Sequence, residues 1–243
     1  MERFRQIIAM GGVITQEDLT LFPYVVEQAH RSRPRVGYLP TASGDSESFI
    51  AKFYDHFSSL PCELSHLELF GRVRNLEQYV SEQDVIVVSG GNTRSMLALW
   101  RTWGLDALLR KAWEKGTVLA GFSAGAICWF SEGLSDSWAD QLAPVDGLEL
   151  LTGSCCPHYS NEQERRPAFH RRIVRGEMRP GIGIDDGAAV HFEDSKAIRV
   201  VLARADADAY AVSATDGIAS EKPLEAERIR LGAGGPTHAV DER

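Results

Sequence analysis

A chain of 243 residues, 44% of them hydrophobic, can bury one sizeable core, which favours a single domain over residues 1–243. With 26 Lys and Arg against 34 Asp and Glu the net charge is −8, so a phosphate backbone is repelled overall and nucleic acid is disfavoured as a partner. No stretch nears the ~20 apolar residues of a membrane span, and the apolar run at the start is too short for a signal-peptide core, so no membrane partner and a cytoplasmic location are expected.

In chain order, short β-rich runs alternate with helical patterns: RQIIAMGG, EDLTLFPYVVEQAHR, RVGYLPTAS, SESFIAKFYDHFSSL and CELSHLELF. This is the rhythm of βαβ units. The runs DVIVVSGGNT (84–93) and TVLAGFS (117–123) are almost wholly apolar before their ends, as suits a parallel sheet covered on both faces. The expected fold is therefore α/β: a doubly wound, mostly parallel, flavodoxin-like sheet with helices on both faces. Phe22, Val25, Val26 and Ala29 in the first helix, and Phe49, Phe53, Phe57 and Leu60 in the second, fall at helical spacing and are expected to face the core. Ligands of such sheets gather at the carboxyl ends of the strands. The segments GG, PTAS, GGNT and GFSAG all end there, so four loops converge on one candidate site.

Beyond about residue 145 the pattern shortens to strands around GLELL, GIGID, AAVHF, AIRVVLA and AYAVS, which predicts a β-hairpin-rich C-terminal part. The polar, glycine-rich stretch 231–243 is expected to be mobile. Cys62, Cys128, Cys155 and Cys156 form no CxxC pair and have no histidine at zinc spacing, so neither a disulfide framework nor a metal site is indicated. Cys155 and Cys156 read as buried small hydrophobes.

Chemistry concentrates in VLAGFSAGAICWF (118–130), where Ser123 sits between Gly121 and Gly125 at the passage from an apolar strand to an apolar helix. A serine at so sharp a turn is held in a strained conformation that lifts its hydroxyl above the sheet edge, and a side chain on either glycine would collide with the neighbouring strand or helix. The helix starting at Ala124 would aim free N–H groups at whatever the serine attacks. A serine nucleophile requires a base, and the base an orienting acid. Of the seven histidines, His30, His56 and His66 lie on upstream helices or strands and His170 reads as a helix-surface residue. His158 follows a short apolar strand and precedes the turn-forming Ser160 and Asn161, which makes it the leading base; His191, inside AAVHF, is its rival. Asp185 and Asp186 offer the acid, and because side chains alternate along a strand only one of them can face a site.

The motifs GGNT (90–93), GFSAGA (121–126), CPHYSN (156–161) and GIDDGAA (183–189), the last three in the order serine, histidine, acid, resemble those of the peptidase E family of serine peptidases. That family includes aspartyl dipeptidases and, more distantly, cyanophycinases, and shares the fold of class I glutamine amidotransferase domains. The resemblance implies Ser123 as nucleophile, His158 as general base and Asp186 as third member, at a position where family members usually carry glutamate. It also implies an oxyanion hole from the N–H groups of Gly91 and Ala124, with Asn92 and Thr93 of the same loop as candidate substrate contacts. No metal or cofactor is implied. The implied substrate is a dipeptide or short peptide with an N-terminal aspartate, whose carboxylate calls for a guanidinium. Arg165, Arg166, Arg171 and Arg172 are the candidates, unless they form a solvated face balanced by Glu162 and Glu164.

Other readings stay open at this stage. An α/β-hydrolase esterase would need the order serine, acid, histidine, which here puts Asp186 and His191 on one short hairpin. An amidotransferase would need cysteine in place of Ser123. A β-aspartyl polymer hydrolase, or a relative that binds ligand without catalysis, is compatible with the same motifs. Family habit, with Trp129 and Trp138 as candidate exposed contacts, suggests a homodimer.

Overall fold

In the run QIIAM every residue of strand β1 (Gln6–Met10) is buried. Ile7 and Ala9 point into one apolar layer and Ile8 and Met10 into the other, so the strand lies at the centre of a sheet covered on both faces. The structure is a computed structural model that describes residues 4–73, 75–138 and 141–232 and the backbone of 235–239.

The first half builds as the alternation predicts. After β1 come α1 (Leu21–Glu27), β2 (Arg35–Leu39), α2 (Glu47–Phe57), β3 (Glu63–His66), α3 (Leu76–Ser81), β4 (Val85–Val88), α4 (Thr93–Trp103), α5 (Leu105–Glu114) and β5 (Val118–Phe122). Strands β1, β5, β4, β2 and β3 pair in parallel in that spatial order. Helices α1 and α2 bury Val25, Phe53 and Phe57 against one face, while α4 and α5 bury Met96, Trp100 and Leu109 against the other. Among the described residues, no helix is long and apolar enough to cross a membrane.

The second half is hairpin-rich, as expected, with β-hairpins that join the main sheet and a second sheet rather than forming an appendage. The helix after Ser123, α6 (Ala124–Ile127), is a single turn, and the chain then enters β6 (Phe130–Trp138), β7 (Gln141–Asp146) and β8 (Leu151–Pro157). Next come α7 (Arg165–Val174), β9 (Gly181–Ile184), β10 (Ala188–Glu193), β11 (Lys196–Leu202), β12 (Ala209–Thr215), β13 (Ile218–Pro223), β14 (Glu227–Gly232) and β15 (Gly235–Ala239). Strand β10 pairs antiparallel to β1 and carries β11, β14 and β15 with it, extending the main sheet to nine strands. The other six form a second, mixed sheet in the order β13-β12-β9-β8-β6-β7. The α/β class with helices on both faces holds, with sheets more mixed than the apolar runs alone indicate. The 231–243 stretch, expected as a mobile tail, contributes β15 paired with β14, and the rest of it lies outside the described residues apart from the end of β14.

Trp129, expected on the surface, is wholly buried beside Trp100, with ring centroids 6.4 Å apart. Trp138 is exposed and lies under the Arg94 guanidinium. Cys128, Cys155 and Cys156 are buried, and burial pushes all three thiols up, away from thiolate formation.

His191, the rival base, is fully buried on β10 with both ring nitrogens engaged. Its Nδ1 accepts from the Tyr24 hydroxyl at 2.7 Å and its Nε2–H donates to Gln6 Oε1 at 3.0 Å, an arrangement that requires the neutral ring. Burial lowers its pKa to about 3. An unfolded histidine takes up its proton near pH 6.5, so below that pH the unfolded chain binds a proton that the native one does not. The stabilisation is whole above about pH 6.5 and is lost progressively as pH falls toward 3. Denaturant titrations are expected to show roughly 2 kcal/mol of stability lost from this group between pH 7 and pH 5, a loss that His191→Gln removes.

Candidate active site

Ser123 follows directly on β5 with φ 55° and ψ −113°, a conformation that non-glycine residues adopt only at a cost of about 1–3 kcal/mol. The surrounding backbone enforces it. The Ser123 N–H is shared between the carbonyls of Met10 and Gly11 at 3.2 Å each, and its carbonyl accepts from Ala126 N–H and Ile127 N–H. Gly121 and Gly125 face each other in the turn: a Cβ on Gly121 would overlap Gly125, and one on Gly125 would overlap the Val88 carbonyl of β4. This is the collision that the G-x-S-x-G spacing predicts.

His158 is the first residue beyond β8, also at positive φ (53°), and its carbonyl accepts from Asn161 N–H and Glu162 N–H. Strands β8 and β9 run parallel with Pro157 opposite Ile184, so His158 arrives beside Asp185 and Asp186 as both chains leave the sheet. The alternation then separates the two aspartates. Asp186 Oδ1 lies 2.5 Å from His158 Nδ1, and His158 Nε2 lies 2.9 Å from Ser123 Oγ, 35 residues back along the chain. Asp185 turns the other way and accepts from Ser160 N–H and Asp208 N–H; burial raises its carboxyl pKa.

Aspartate is one methylene shorter than the glutamate that the resemblance implies, and the backbone makes up the difference. Gly12 and Asp186 form an isolated parallel bridge, with Gly187 N–H donating to the Gly12 carbonyl. A Cβ on Gly12 would overlap Asp186 Oδ1 and lie 2.7 Å from His158 Cε1, so only glycine lets the imidazole and carboxylate approach this closely. Gly12→Ala is expected to lower kcat about 10²-fold while the protein remains folded, the scale of a misplaced reacting group; steady-state kinetics with a thermal melt would check it. Asp186 is also held through its main chain: its N–H donates to Asn161 Oδ1 at 2.8 Å, and its carbonyl accepts from Arg204 Nη2 at 2.6 Å. Arg204 Nε in turn lies 3.3 Å from the buried Asp18, whose other oxygen accepts from Ile14 N–H and Thr15 N–H. The sequence signals for these supports were slight: a GG pair after the first strand and an asparagine in the turn after the base.

The remaining candidates separate. Gly90 and Gly91 lie next to Ser123, and the φ of 134° at Gly91 brings it against Ala42, where any side chain would clash. Asn92 instead caps α4, its Oδ1 accepting from Ser95 N–H at 2.8 Å, and Thr93 is buried with its Oγ1 accepting from Ser135 at 3.3 Å. The four arginines all lie on α7, against the second sheet. Arg165 is 2% exposed and bound to Glu162 and the Leu134 carbonyl, so it is neither a solvated residue nor a free one. Arg166 pairs with Glu221, which also receives the Tyr159 hydroxyl and contacts His170, expected as a plain surface residue. Arg172 pairs with Glu177, and Arg171 lines a separate groove beside Trp138.

What does open beside Ser123 and His158 is a cavity of about 390 Å³ reaching toward α1 and α2. It contains none of the four arginines. Phe49, Phe53 and Phe57, expected only as core residues, line it.

Residues 7–200 match the model of Peptidase family S51. The chain is 47% identical over 224 residues to YgaJ of Bacillus subtilis strain 168, described as an uncharacterized peptidase, covering 90% of this chain and 97% of that one. It is 26% identical over 212 residues to cyanophycinase of Synechococcus elongatus, covering 80% of this chain and 65% of that one. The crystal structure of a peptidase from an acI-B1 Actinobacterium superposes with a TM-score of 0.65 at 19% identity over 98% of each chain, which shows a shared fold.

Proposed function

Because the chain belongs to peptidase family S51, the peptidase E family of hydrolases, we propose that it cleaves short peptides with Ser123 as nucleophile, His158 as general base and Asp186 as the group that orients the base. The observation that carries this reading is the continuous path from Ser123 Oγ through His158 to Asp186, with steps of 2.9 and 2.5 Å.

In the resting site His158 Nδ1–H donates to Asp186 and Nε2 accepts from the Ser123 hydroxyl. As Oγ attacks the peptide carbonyl carbon, Nε2 takes its proton, and the carboxylate stabilises the imidazolium that results. The N–H groups of Gly91 and Ala124 hold the oxyanion, each donor of this kind being worth roughly 2.7–4 kcal/mol in the transition state. The imidazolium then protonates the departing amine, leaving an ester on Ser123. A water that gives up its proton to His158 cleaves the ester and restores the hydroxyl. Every proton has a carrier among these residues, so the cycle needs no metal or cofactor.

The N-terminal aspartate is what the family resemblance implies, and none of the four candidate arginines lines the cavity beside Ser123, so the reading here is of short peptides with no preference assigned. Incubating the purified chain with a panel of dipeptides and tripeptides in the presence of EDTA tests it. Free amino acids are expected from at least part of the panel, and a folded protein that releases none would contradict it.

A further inference from the structure

We propose that the cavity beside Ser123 is a side-chain subsite, and that the peptides cleaved here carry a large apolar side chain, above all an aromatic one, next to the scissile bond. The inference rests on Ser123 as the reacting atom, because the position of the cavity at that hydroxyl identifies its occupant.

The floor of the cavity is Phe22, Tyr38, Phe53 and Phe57, each no more than 5% exposed. Tyr38 and Phe53 stack at 4.5 Å between centroids, and Phe22 packs on Phe57 at 4.7 Å, so the rings are fixed by one another. Phe122 and Gly90 connect this floor to Ser123. The rim is different in kind. Ile14 is 70% exposed there, and Phe49, Lys52 and His56 follow one another at helical spacing along α2. The charge is at the mouth, with the Lys52 ammonium 5.8 Å from the centroid of the Phe49 ring.

A side chain entering from Ser123 therefore leaves water for aromatic walls. A phenyl ring gains from that transfer and from edge and face contacts with fixed rings. An aspartate carboxylate would lose its hydration with no cationic side chain at the floor to pair it, which is costly. A cavity of about 390 Å³ is also much larger than a carboxymethyl group fills. Apolar rings at spacing 49, 53 and 57 look the same in a sequence whether they close a core or line a pocket, and the preceding loops decide which.

Binding and turnover separate this inference from the chemistry at Ser123. In Ser123→Ala protein, calorimetric titration with Phe-Ala, Ala-Phe, Asp-Ala and Ala-Ala places the ring on either side of the peptide bond. One of the two phenylalanine peptides is expected to bind about ten-fold or more tighter than Ala-Ala, the scale of burying one phenylalanine side chain. Asp-Ala is expected to bind no tighter than Ala-Ala. Adding Phe49→Ala should reduce the advantage to about three-fold or less, and Phe49→Leu should keep most of it. Equal affinities, tightest binding by Asp-Ala, or an advantage that Phe49→Ala leaves unchanged would overturn the subsite. Selective binding without any hydrolysis by the wild-type chain would support the subsite and count against the Ser123 chemistry alone.

Discussion

Replacing Ser123 with alanine is expected to lower kcat for every cleavable peptide by about 10⁴- to 10⁶-fold, leaving only what binding and the oxyanion donors supply. The magnitude follows from the arrangement. Oγ is the one atom at the end of the proton path, 2.9 Å from His158 Nε2, and an alanine methyl has neither a proton to give nor a lone pair to attack with. The fold around it does not depend on the hydroxyl: the turn is fixed by the Ser123 main chain bonding to Met10, Gly11, Ala126 and Ile127. The variant is therefore expected to melt within a few degrees of wild type and to retain peptide affinity. A variant that kept more than about a tenth of wild-type turnover would show that another group does the chemistry.

The second large effect is at Asp186, where asparagine is expected to lower kcat by about 10⁴-fold with little change in KM. An amide presents both a donor and an acceptor in the same space. With its NH₂ toward Nδ1 it selects the other tautomer, whose Nε2–H can no longer take the serine proton. Even in the correct tautomer the imidazolium loses its compensating charge. The loop itself stays in place, because Gly12, Asn161 and Arg204 hold Asp186 through its main chain. Asp185→Asn serves as the contrast. That side chain accepts from Ser160 and Asp208 and faces away from His158, so its loss is expected to be less than ten-fold in kcat and to appear mainly as reduced stability.

Ser123 and His158 were legible because their chemistry leaves local marks: a serine framed by two glycines after an apolar strand, and a histidine at the end of another strand with a turn behind it. The choice between Asp185 and Asp186 was not, since alternation shows only that they part; the β8–β9 register decides which one faces the base. Gly12 was read as one of several turn residues, and its specific duty appears only when β10 returns beside β1 and brings Asp186 against it. That return is itself hard to foresee: Ala188–Glu193 is an apolar run that would suit a parallel strand equally well. The strand Phe130–Trp138 was not foreseen: the apolar run as far as Phe130 was read as strand passing into helix, but the helix closes after Ile127, and Ser131, Gly133, Ser135 and Asp136 disfavour its continuation. The arginines misled for a simple reason. Charge pattern near His158 in sequence says nothing of the face on which α7 packs, and Glu162, Glu177 and Glu221 hold Arg165, Arg172 and Arg166 on the second sheet.

Reaction of the intact chain with a small fluorophosphonate, followed by mass measurement and peptide mapping, bears most directly on whether the Ser123 hydroxyl is activated by His158. One phosphonyl group on Ser123 is the expected product, formed at a rate that falls at least about 10²-fold in His158→Ala. An unmodified Ser123 in folded protein, or an adduct that forms equally fast without His158, would contradict the account.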